Sequence, residues 1–162
     1  MKREILTYPN PVLQQKSVDV GTPNEAVRQL VADMFETMEA AGGVGLAAIQ
    51  VGVPLRLFVM EVAGKKTVLI NPVIKSLLDQ PVEMREGCLS IPNVFEWVPR
   101  HKRVLAEFFD LDDNCHVRLF EGLEAHAVQH ETEHLDGMLF PEKLHPNKRD
   151  RVFKKFLKKA GK

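Results

Sequence analysis

Along residues 27–38 the apolar positions Val27, Leu30, Val31, Met34, Phe35 and Met38 recur every three or four places, which puts one apolar stripe on a helix. Thr22-Pro23-Asn24 before it and Gly42-Gly43 after it are residue types that start and stop helices. The pattern then changes. Residues 55–62 and 67–74 read as strands, as do 104–111 and 116–120, the last two flanking the turn-forming Asp112-Asp113-Asn114. Between them, Glu86-Gly87-Cys88-Leu89-Ser90 followed by Ile91-Pro92 reads as a bending segment rather than a plain core strand. Gly122 introduces a second helix, over about residues 123–134 and ending near Gly137, whose apolar Leu123, Ala127 and Val128 imply burial against the strands. A terminal helix follows Pro146, over about residues 148–160. Strands clustered between helices, rather than alternating with them, predict an α+β fold with mostly antiparallel sheets. No repeat or linker interrupts the 162 residues, so a single domain over 1–162 is expected.

Composition narrows the class. Lys and Arg balance Asp and Glu for a formal net charge of zero, and nothing points to DNA as a partner. Apolar stretches are far short of a membrane span, and MKREILTYP lacks a signal-peptide core, so a cytoplasmic protein with no membrane contact is expected. Two cysteines make no disulfide framework.

The chemistry sits in the second helix. His130, Glu131 and His134 form an H-E-x-x-H set, and residues four apart share a helix face, so both imidazoles can reach one ion at roughly 2.0–2.1 Å. Glu131 is then placed to exchange a proton with water at the ion's open side. A water-activating site of this kind needs a third protein ligand. His126 shares the spacing but lies about 12 Å along the axis from His134. Cys88, a strong ligand as thiolate, is the leading candidate; Glu142 and His145 would serve if the chain were a conventional endopeptidase. The Gly43–Gly45 run lacks the Lys-Ser/Thr ending of a phosphate loop, and these glycines suit a backbone lying beside an extended substrate, with Val44 contributing to an apolar pocket.

Three segments together resemble the peptide deformylase family: G-x-G-L-A-A-x-Q at residues 43–50, E-G-C-L-S at 86–90, and Q-H-E-x-D-H-L-x-G at 129–137. The similarity runs from Tyr8-Pro9-Asn10-Pro11-Val12-Leu13 to about Phe140. It implies removal of the formyl group from the initiator methionine of nascent polypeptides, releasing formate, and a metal helix packed centrally among antiparallel sheets. It implies the ligand set Cys88, His130 and His134 around one Fe2+ per chain, with Zn2+, Ni2+ or Co2+ as substitutes. It also implies Glu131 as proton carrier, Gln50 and the Leu89 N–H as donors to the oxyanion, and Val44, Gly45 and Arg100 as substrate contacts. Two departures stand out: Glu133 replaces the family's Asp, and Asn93 follows Pro92 where the family has Gly.

Residues 148–162 carry eight basic side chains against the single Asp150, a local charge of +7. With Val152, Phe153, Phe156 and Leu157 on one stripe, a basic amphipathic helix is expected, and the resemblance implies ribosome contact through it.

Overall fold

The computed structural model describes residues 1–161. Helix α1 (Glu25–Ala40) is followed by strands β1 (Gly45–Ala47), β2 (Leu57–Val62), β3 (Lys65–Leu78), β4 (Val82–Cys88), β5 (Ile91–Arg100), β6 (Arg103–Phe109) and β7 (Cys115–Glu121). Helices α2 (Gly122–Leu135) and α3 (Pro146–Lys159) complete the chain, with short 3-10 turns at Pro11–Gln14, Ala48–Val51 and Phe140–Lys143. The strands form a five-stranded sheet in the order β1-β2-β3-β6-β7 and a separate two-stranded sheet, β4-β5. All neighbours are antiparallel, as expected for an α+β fold.

The five-stranded sheet lies between two helices. Alternate residues of β2 face opposite ways: Phe58 and Met60 pack with Ala125, Val128 and Leu135 of α2, while Leu57 and Val59 pack with Val31, Met34 and Met38 of α1. All four β2 side chains are fully buried, each contributing about 1.5–3 kcal/mol of transfer free energy. Helix α1 starts where Asn24 accepts a hydrogen bond from the Val27 N–H at 2.9 Å, and it ends just before Gly42, at φ 71°. Helix α2 crosses β1, β2, β6 and β7, which makes it the central helix.

The bend expected over residues 86–92 is there, as a turn at Leu89-Ser90 with the register interrupted around Asn93 at φ 64°, but the two strands β4 and β5 that flank it, forming a hairpin over 82–100, went unread. Alternation was hard to read there because two of its inward positions, Glu86 and Arg100, are charged. Leu123 is 47% exposed rather than buried, since the first turn of α2 overhangs a cavity instead of the sheet.

Helix α3 docks by its apolar stripe. Val152 and Phe156 are buried with Leu13, Val94, Val98 and Phe140, and the Phe153 ring stacks on Tyr8 with centroids 4.3 Å apart. Lys154, Lys155, Lys158 and Lys159 face outward. Lys162, counted in the basic segment, lies outside the described residues. Among the described residues no helix is long and apolar enough to cross a membrane.

Candidate metal centre and active site

The 3.6-residue repeat of α2 aims His130 and His134 the same way, and their Nε2 atoms lie 3.2 Å apart. Cys88, at the end of β4, brings its Sγ to 3.2 Å from the His134 Nε2. One donor atom from each residue falls within 4.8 Å of the other two. Bond lengths of about 2.0–2.3 Å to one tetrahedral ion give ligand separations of this size, so the residues fit a divalent cation. Among the described residues, no other cluster of His, Cys, Asp and Glu converges in this way. Glu142 instead accepts from the Leu139 N–H at 2.8 Å, and His145 caps α3, so neither endopeptidase candidate joins the cluster.

A buried carboxylate stands behind the histidines. Glu86 Oε2 accepts from His130 Nδ1 at 2.6 Å, which leaves the His130 Nε2 lone pair facing Cys88 and His134 when the ring is neutral. Glu86 also bonds His126, so His126 is a partner of Glu86 rather than a member of the cluster. Arg100 closes the arrangement: its Nε and one terminal nitrogen reach Glu86 at 2.8 and 2.7 Å, and both terminal nitrogens reach Glu133 at 2.7 and 2.9 Å. Burial alone would raise the Glu86 pKa, but hydrogen bonds from Arg100, His126 and His130 outweigh it and hold the carboxylate well below its usual range. Arg100 is held above its usual range by Glu86 and Glu133 against its own desolvation.

These bonds correct the expectation for Arg100. It is 2% exposed and committed to Glu86 and Glu133, so it braces the site from behind and is not a surface contact for substrate. Glu133 does not touch a histidine; it acts one step further back, with Lys143 at 3.3 Å on its other side. Sequence reasoning passed over Glu86, although it stands two residues before Cys88 in the same motif.

Glu131 is as buried as Glu86 but differently furnished. Its Oε2 has no hydrogen-bond partner, and its Oε1 lies 3.7 Å from His130 Nε2. Burial, opposed by His130 and reinforced by Glu86, pushes its pKa up to about 7. Gly45 makes room for it: a Cβ there would meet the Glu131 carboxyl at 3.1 Å. Gly43 similarly accommodates Leu89, whose side chain a Cβ would meet at 2.6 Å. The two glycines thus make room for the Glu131 and Leu89 side chains, while β1 remains the edge strand of its sheet.

Gln50 is anchored from both ends. Its Oε1 accepts from the Ala47 N–H at 2.9 Å, so its amide nitrogen faces the site, donating to Ser90 Oγ at 3.0 Å and lying 3.7 Å from Cys88 Sγ. Leu89 sits in the turn between β4 and β5. Val44, Gly45, Gln50, Cys88, Leu89, His130 and Glu131 line one cavity of about 470 Å³; Arg100 does not.

Comparison with known proteins agrees with this geometry. The model of the family described as polypeptide deformylase matches residues 2–150. The chain belongs to the polypeptide deformylase family. It is 47% identical to a peptide deformylase of Afipia carboxidovorans over 98% of this chain and 95% of that one, and 46% identical to one of Chromohalobacter salexigens over the same shares. The crystal structure of the Ehrlichia chaffeensis peptide deformylase in complex with actinonin superposes with a TM-score of 0.93 at 37% identity, covering 98% of this chain and 97% of that one. The family's metal-dependent activity is removal of the N-formyl group from nascent peptides, and this chain is a hydrolase of that kind.

Proposed function

We propose that residues 1–162 act as one catalytic unit in which Cys88, His130 and His134 hold the metal, Glu131 carries the proton, and Gln50 with the Leu89 N–H stabilises the developing oxyanion. The observation that carries this reading is the convergence of one thiol and two imidazole nitrogens beside a buried carboxyl oxygen with no other partner. A bound divalent cation would acidify a water and polarise the formyl carbonyl. Glu131, its carboxyl pushed up by burial to about 7, is matched to taking a proton from the water as that water adds to the formyl carbon and to giving it to the amine nitrogen as the C–N bond breaks. The Gln50 amide, fixed by Ala47, points its nitrogen at the reacting side; a preorganised donor of this type contributes about 2.7–4 kcal/mol. Val44 and Gly45 supply the wall along which an extended formyl-Met chain lies, its methionine side chain taken by the cavity.

The test is a comparison of formyl-Met-Ala-Ser, acetyl-Met-Ala-Ser and an unfolded protein. Formate release without acetate release or chain cleavage is expected, because the acetyl methyl overlaps the wall between Gln50 and Leu89. Internal cleavage without formate would refute the assignment.

For the metal we propose ferrous iron, which thiolate and imidazole ligands accept along with zinc, nickel and cobalt. Elemental analysis after anaerobic purification should find iron near one per chain, and the iron form should lose activity in air faster than a nickel form. We further propose that the outward lysines of α3 contact ribosomal RNA electrostatically. Cosedimentation with ribosomes should fall with salt and with charge reversal at Lys154, Lys155, Lys158 and Lys159; binding unchanged by either would refute it.

A further inference from the structure

The outward face of the β4–β5 hairpin carries two aromatic side chains that the site does not use, Phe95 and Trp97, each 55% exposed. Phe95 lines the cavity, so this row begins at its mouth. Pairing places Phe95 opposite Gly87 and Trp97 opposite Arg85 on the same face. The Phe95 ring is held in place rather than free: it covers Gly87, where a Cβ would meet it at 2.6 Å, and the Arg85 guanidinium lies over it at 4.9 Å. Trp97 lies two residues along the strand, roughly 6.6–6.8 Å further from the mouth, the repeat of an extended peptide.

A polypeptide attached to the reacting residue must leave the cavity by its mouth, and beside it lies this apolar row. The charges on that face, Arg85 and Glu83, oppose each other, while the basic helix α3 packs behind β5 on Val94 and Val98. A polyanion therefore finds little attraction here, and an apolar peptide segment finds a surface. Resting on the deformylase reading, we propose that Phe95 and Trp97 bind the nascent chain beyond its first residues and favour apolar side chains there, making Trp97 a specificity-determining residue.

The experiment uses the metal-loaded enzyme with formyl-Met-Ala-Ser, formyl-Met-Ala-Ser-Ser-Ser and formyl-Met-Ala-Ser-Leu-Phe, reading formate. The wild type should show a kcat/KM on the order of 10-fold higher for the apolar extension than for the polar one, expressed in KM rather than kcat. Trp97→Ser should bring that ratio close to one, and Trp97→Phe should restore most of it. Equal kcat/KM for the two extended peptides on wild type, or an unchanged ratio in Trp97→Ser, would overturn the proposal. Formate from none of the three peptides would sink the deformylase reading and this one with it.

Discussion

Glu86 and Glu131 are both nearly sealed from solvent and both approach the imidazole of His130, yet their chemistry diverges. Glu86, at the back, receives hydrogen bonds from Arg100, His126 and His130 and remains ionised. Glu131, at the front, has an oxygen without a partner and is pushed up to about 7. Burial therefore does not set the character of a carboxyl group by itself; the donors around it do. The braced carboxylate fixes the tautomer of neutral His130, while the unbraced one is left able to take and release a proton.

The largest expected effect comes from the residues proposed to hold the metal beside both carboxyls. Cys88→Ala or His134→Ala should lose both bound metal and formate release, whereas Glu131→Gln should keep the metal and lose about 10²–10⁴ in turnover. Elemental analysis beside formate assays separates them, and wild-type turnover in Glu131→Gln would contradict the front-carboxyl role. At the back, Glu86→Gln should lower metal affinity or activity by about 10–100-fold, because His130 Nδ1 loses its anionic acceptor. Competition against a chelator measures that directly.

The two carboxyls should also carry opposite pH signatures in the stability of chelator-stripped protein. Because the folded-state pKa of Glu86 lies below its ordinary 4.5, its stabilisation is present above that pH and fades as pH falls. Glu86→Gln should therefore be less stable than wild type at neutral pH, with the gap narrowing in acid. For Glu131 the folded-state pKa is raised from 4.5 to about 7, so wild type loses stability as pH rises through that window. Glu131→Gln should escape that loss, gaining about 3 kcal/mol on wild type above pH 7. Denaturant titrations from about pH 2 to 8 give both slopes, the Glu86 one below pH 4.5 and the Glu131 one between 4.5 and about 7; parallel curves for the two variants would refute the distinction.

The smallest effect is expected furthest back. Glu133→Asp shortens a partner of Arg100 but leaves both Arg100–Glu86 bonds, so activity should change by less than about 10-fold. A larger loss would mean that Glu133 matters more to His130 than its position behind Arg100 implies.

Local sequence determined what depends on short-range periodicity: helix α1 from its apolar spacing, the shared face of His130 and His134, and the Glu131 carboxyl beside them. It also marked Cys88, through the residues surrounding it. What it left undecided depends on contacts between distant segments. Arg100 entered only as a substrate contact implied by the resemblance, and only the antiparallel pairing of β4 with β5, packed beside α2, buries its guanidinium between Glu86 and Glu133. Leu123 had the right spacing for the core, but its turn of α2 meets a cavity instead of a strand. The protonation of Glu86 and Glu131 was equally out of reach, because a carboxyl's charge is set by which donors surround it in space, and those donors come from two elements, β5 and α2, that only the fold brings to β4.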